Sequence, residues 1–151
     1  MSGILNNQEI EQMAYIMKIP FNGCFAKDTL KGTIKNGGYV INLGDSKTGG
    51  SHWVALYCEN KNVCYYDSFG AIYPNIIKSF CKNKTILYNV RVIQDLKDDH
   101  CGYYCLAFLH YFSTNSNEDF KLSDELNKWN AYFDMGKNSL KKLQKYYKNN
   151  F

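Results

Sequence analysis

The sequence predicts an α+β fold: a small, mainly antiparallel sheet packed on one central buried helix, with helices at both ends. Three observations carry this reading. Residues 38–43 (GYVINL), 52–58 (HWVALYC), 63–67 (VCYYD) and 85–93 (TILYNVRVI) are rich in the β-branched and aromatic residues that strands favour. Residues 101–112 (CGYYCLAFLHYF) are apolar almost all round, which places a helix in the middle of the fold. Segments of helical pattern flank these elements at the start and the end of the chain.

In chain order, residues 7–18 (NQEIEQMAYIMK) put Ile10, Met13, Ala14 and Met17 at helical spacing, with Asn7 as the candidate cap. A loop rich in Gly and Asn follows, before the strand at 38–43. Between the strands at 52–58 and 63–67, Asn60-Lys61-Asn62 has the composition of a hairpin turn. Residues 74–82 (PNIIKSFCK) read as a short helix with Pro74 in its first turn. Two helical segments, about 123–133 and 137–148, finish the chain.

With 151 residues, no internal repeat and no low-complexity linker, residues 1–151 are read as one domain. Hydrophobic residues make up 45% and charged residues 21%, an ordinary globular balance. No run approaches the roughly 18 apolar residues of a membrane span, so no membrane partner is expected. The start, MSGILNNQEIEQM, lacks the basic and apolar regions of a secretory signal. A reducing compartment is therefore expected, with all six cysteines as free thiols. None stands in a C-x-x-C pair, so no zinc cage or other metal site is expected. The net charge is +4, and Arg91 is the only arginine. Such a Lys-, Asn-, Ile- and Tyr-rich composition points to an A+T-rich gene. From Lys121 to Phe151, seven lysines face three acidic residues, a local +4. That stretch is a solvated helical surface or a nucleic-acid contact.

The chemistry-bearing residues are few. Of three histidines, His110 lies inside the apolar helix and reads as a hydrogen-bonded core residue. His100 is adjacent to Cys101 in sequence, where two side chains at a helix start diverge. His52 opens a strand directly after the loop Thr48-Gly49-Gly50-Ser51, at the rim of a sheet, and is the candidate base. Cys101 stands at the start of the buried helix, where the macrodipole and unpaired amides favour the nucleophilic thiolate. Gly102 would let a substrate backbone approach. Cys105, one turn further in, reads as buried and inert.

Nucleophilic catalysis by a thiol also needs a base held in the right tautomer by a third group. Asp67 ends the strand after that of His52, and antiparallel pairing would bring the two together. The alternative is a turn aspartate capping Ser68-Phe69-Gly70. Donors for a developing oxyanion could come from the backbone amide of Cys101 and the side chain of Gln94. The alternative for Gln94 is a surface glutamine.

The order His, Asp, Gln, Cys resembles that of the adenovirus-type endopeptidases and, more distantly, of the SUMO and ubiquitin-like-modifier proteases. The resemblance rests on Gly49-Gly50-Ser51-His52-Trp53, on Cys64-Tyr65-Tyr66-Asp67-Ser68-Phe69-Gly70, and on Gln94 separated by six residues from Cys101-Gly102. The helix Cys105-Leu106-Ala107-Phe108-Leu109-His110-Tyr111-Phe112 extends it, so that it runs from about residue 5 to 112. It implies a cysteine protease with His52 as base, Asp67 as orienting acid, Cys101 as nucleophile, Gln94 and the Cys101 amide as oxyanion donors, and Trp53 lining the cleft. It also implies glycine beside the cleaved bond. The Asp at position 67 matches the SUMO-protease branch, whereas the spacing from Gln94 to Cys101 matches the adenoviral one.

Together with the small size and the A+T-type composition, the resemblance implies a maturation protease of a virophage or large DNA virus. Its substrates would be capsid precursors, and it would act in the host cytoplasm at the viral factory and in the virion. Adenovirus-type enzymes use an activating peptide and DNA; this chain holds little beyond the catalytic core, so no cofactor is expected, and the Lys-rich C-terminus keeps nucleic acid as a candidate partner. Two rivals remain at this stage: a protease that removes ubiquitin-like modifiers from host proteins, and a non-catalytic nucleic-acid-binding or scaffold protein.

Overall fold

Alternation along the two central strands decides the architecture. In Trp53–Glu59 (β3), Trp53, Ala55 and Tyr57 point to one core cluster, while Val54, Leu56 and Cys58 point to another. Asn62–Tyr66 (β4) does the same, with Cys64 and Tyr66 on one face and Val63 and Tyr65 on the other. A sheet with apolar side chains on both faces must be covered on both. The computed structural model, which describes residues 1, 3–44, 52–115, 121–133 and 138–151, shows how.

Five strands lie in chain order across one sheet: Phe21–Ala26 (β1), Gly37–Asn42 (β2), β3, β4 and Thr85–Tyr88 (β5). The three central strands are antiparallel, as the sequence predicts, and a parallel strand extends each edge. Helix α1 (Asn7–Ile16) precedes β1, and α2 (Asn75–Phe80) lies between β4 and β5. The long α3 (Cys101–Thr114) fills the centre of one face, and α4 (Leu122–Tyr132) and α5 (Ser139–Asn150) follow it. Ten residues of α3 are buried, in line with its all-round apolar sequence. Tyr66 of β4 stacks on Phe108 of α3 with ring centroids 4.5 Å apart, locking sheet to helix. The opposite face is covered by α2 through Ile77 and Phe80, and by Ile34 from the β1–β2 connection. Among the described residues, no helix is long and apolar enough to cross a membrane.

Four local expectations change. The cap of α1 is Asn6, not Asn7: its side chain accepts from Glu9 N while Glu9 accepts from Asn6 N, a reciprocal capping box. Residues 21–26, expected in a loop, form β1, whose half-exposed edge position tolerates Asn22 and Gly23. Pro74 precedes α2 as its cap residue rather than lying within its first turn. The strand expected at 85–93 ends at Tyr88, because the buried Asn89 turns its amide onto backbone groups of residues 67 and 91. The turn at Asn60-Lys61 forms as expected, with Asn60 at a φ of 57° that asparagine tolerates.

Candidate active site

The β3–β4 hairpin pairs Ala55 with Tyr66, so the residue just before β3 and the residue just after β4 meet at one end of the sheet. These are His52 and Asp67. His52 Nε2 lies 2.7 Å from Asp67 Oδ1, and the main chain of His52 is tied to the end of β2 by Leu43 N, which donates to His52 O. The preceding loop segment Thr48-Gly49-Gly50-Ser51 lies outside the described residues.

Asp67 is almost fully buried. Its Oδ1 also accepts from Phe69 N at 2.8 Å, so the turn-capping role and the histidine contact coexist on one carboxylate. Asn89 brackets the main chain at this point. Its Oδ1 accepts from Asp67 N at 3.0 Å, and its Nδ2 donates to Asp67 O at 2.6 Å. The turn closes at Gly70, whose φ of 75° and contact with the Arg91 carbonyl leave no place for a side chain. Phe69 then lays its ring on the imidazole, with centroids 4.8 Å apart.

Cys101 is the first residue of α3, reached through a loop that Asp98 organises. Asp98 Oδ1 accepts from His100 N at 2.9 Å and pairs with His100 Nδ1, and Asp98 Oδ2 accepts from Tyr104 OH. His100 is thereby turned to Asp98 and kept out of the base role. Asp98, Asp99 and His100 have ligand-type atoms close together, but these contacts already occupy the histidine nitrogen and the Asp98 carboxylate. Trp53 N donates to Cys101 Sγ at 3.5 Å, and Trp53 Nε1 donates to Leu5 O.

His52 and Cys101 form an electrostatic pair. Burial disfavours a charged ring, but the hydrogen bond that the ring donates to Asp67, and then the Cys101 thiol, outweigh it and raise the His52 pKa from 6.5 to about 9. Among the described residues, Nδ1, the nitrogen not engaged by Asp67, is buried and makes no close hydrogen bond. Because the pKa is raised, the charged imidazole is present below it and lost as pH rises through it. Activity that needs this proton should fall on the basic side with a midpoint near about 9. The same shift contributes stability that is complete below 6.5 and gone above about 9. A pH profile of kcat/KM checks this; a basic limb near 6.5 would contradict the pairing.

Gln94 is fully buried, not a surface residue. With His52, Trp53, Phe69 and Cys101 it lines a cleft of about 270 Å³, walled also by the exposed Ile4 and Leu96. Gly102 departs from expectation. It is buried, its α-carbon faces Leu5 and Ile10, and it does not line the cleft, so its missing side chain admits the N-terminal segment against α3. Phe69, Asn89, Ile4 and Leu96 were not singled out from the sequence. Only Phe69, inside the Asp67–Gly70 turn, carried a local signal.

A thiol at a helix start, an imidazole paired with it and a buried carboxylate behind the imidazole define a class of protein, the cysteine proteases. The sequence matches the Ulp1 protease family, C-terminal catalytic domain, over residues 41–150, and the chain belongs to that family. No curated protein matches the sequence. Among solved structures, the fold is similar to two of the ASFV pS273R protease. They have TM-scores of 0.53 and 0.51 at 16% and 15% identity, covering 87% of this chain in both cases and 67% and 68% of theirs. A SUMO protease Ulp1 structure is more distant, with a TM-score of 0.38 at 16% identity over 91% of this chain and 63% of that one.

Proposed function

We propose that this cysteine protease is an endopeptidase that processes viral capsid precursor proteins during virion maturation, at sites containing glycine. The observation that carries the reading is the convergence of Cys101, His52 and Gln94 on one narrow cleft, with Asp67 behind the histidine. Crowding by the rings of Trp53 and Phe69 and by Ile4 and Leu96 favours a substrate residue without a side chain next to the scissile bond. The fold shared with a viral protease supports a viral setting. In this reading the enzyme works in the host cytoplasm at the viral factory and in the virion.

Cys101 Sγ attacks the scissile carbonyl carbon, forming the C–S bond. His52 gives its proton to the amine nitrogen as the C–N bond breaks. Water then attacks the acyl-enzyme, His52 takes the proton, and the C–S bond breaks to release the acid. Asp67 holds the imidazole throughout, while the Cys101 amide and Gln94 Nε2 receive the negative oxygen. Trp53 forms part of the substrate wall. Lys141, Lys145 and Lys148, on exposed positions of α5, would supply any nucleic-acid contact, which would weaken with salt.

The family match also favours a second reading, a protease that removes ubiquitin-like modifiers. Incubation with capsid precursors on one side, and with ubiquitin and SUMO probes on the other, separates the two. Cleavage of the precursor at a glycine-containing site with the probes untouched is expected. Probe labelling without precursor cleavage would overturn the capsid assignment in favour of the second reading.

A further inference from the structure

Ser68 is fully buried directly after Asp67, and the chemistry described so far gives it no part. Its contacts all lead to one place. Ser68 Oγ donates to Gln94 Oε1 at 2.6 Å, and Ser68 O accepts from Gln94 N at 2.9 Å and from Ile93 N at 2.8 Å. The other end of the carboxamide is held as well, since Gln94 Nε2 donates to Asp98 O at 2.6 Å. A carbonyl can only accept, so that bond fixes which end of the amide is nitrogen. With Oε1 held by a hydroxyl and one N–H held by a carbonyl, the plane of the carboxamide cannot rotate. One N–H of Nε2 remains for a further acceptor, and Gln94 lines the cleft together with Cys101 and His52.

We infer that Ser68 is a positioning residue that aims the Gln94 amide at the developing oxyanion. The inference rests on the reading of Gln94 as an oxyanion donor. Asp67 and Ser68 are consecutive, one orienting the base through its carboxylate and the other orienting the donor through its hydroxyl. The turn at 67–70 thereby sets both halves of the site. Without the hydroxyl, Oε1 loses its partner and the amide can swing, and a small displacement of a preorganised donor is costly to the reaction.

The test compares Ser68→Ala, Gln94→Ala and the double variant on one peptide substrate. It adds the rate at which iodoacetamide modifies Cys101, read by mass spectrometry of its peptide. Alkylation uses the thiol and no oxyanion. Ser68→Ala should lower kcat by about 10- to 100-fold, with little change in KM and with the Cys101 alkylation rate retained. In the Gln94→Ala background, Ser68→Ala should cost nothing more, because its effect passes through an amide that is gone. Ser68→Cys, nearly the same size but a weak donor, reads the same effect if the alanine variant does not fold, with kcat reduced at least several-fold. A strong loss in Gln94→Ala with wild-type kcat in both Ser68 variants would overturn the inference and spare the role of Gln94. Losses that multiply in the double variant, or a slowed alkylation, would overturn it in favour of a general structural role. Wild-type kcat in Gln94→Ala would overturn the underlying reading of Gln94 itself.

Discussion

Replacing Cys101 with Ala should abolish peptide cleavage, a loss on the order of 10⁶-fold in kcat, the scale on which other triad hydrolases lose activity with their nucleophile. The fold should survive this change. Cys101 is a small, buried first residue of α3, and the sulfur's hydrogen bond comes from a main-chain group, Trp53 N. The variant should melt close to the wild type and still bind substrate. A comparison of melting curves alongside a cleavage assay checks both. Substantial residual cleavage by the purified alanine variant would mean that another group attacks the substrate.

Asp67→Ala should be the next most damaging change. Its Oδ1 serves His52 Nε2 and Phe69 N together, so alanine frees the imidazole to rotate and loosens the turn that carries Phe69 and Ser68. A loss of about 10³- to 10⁴-fold in kcat is expected, the scale of losing the orienting acid in a triad. Asp67→Asn should cost a comparable factor while leaving the turn intact, since an amide oxygen can still accept both bonds but the charge is lost. The pH profile carries the diagnostic sign. Asp67 supplies the largest contribution that raises the His52 pKa to about 9, so in either variant the basic limb should move down. A limb that stays near 9 without the carboxylate would show that Asp67 does not act on His52.

Much of the site is legible in the sequence because it is built from chain order and hairpin logic. His52 before one strand and Asp67 after the next are brought together by antiparallel pairing alone, and the all-apolar run after Cys101 marks a central helix. What escaped has no local signature. β1 joins the sheet through a parallel, long-range pairing, and its Asn22 and Gly23 look like loop residues. Asn89 and Ser68 do their work through hydrogen bonds to residues 22 and 26 positions away. Gln94 was legible as a candidate donor through its place before Cys101, but its burial, and the partners that hold its amide, were not. The family match places the chain among Ulp1-type cysteine proteases, whereas the choice of substrate has no counterpart in single-residue patterns.

The central claim is that one thiol of six is the activated nucleophile. The other five are poor candidates, since burial, the first cause in each case, pushes their pKa values up. Cys24 and Cys81 reach about 12, and Cys58, Cys64 and Cys105 are raised as well. Brief exposure of the native protein to iodoacetamide at neutral pH, followed by mass spectrometry of every cysteine peptide, tests the claim directly. The expected result is modification of Cys101 alone, suppressed in His52→Ala. Rapid modification of another cysteine with Cys101 untouched, or labelling of Cys101 that is indifferent to His52, would contradict it.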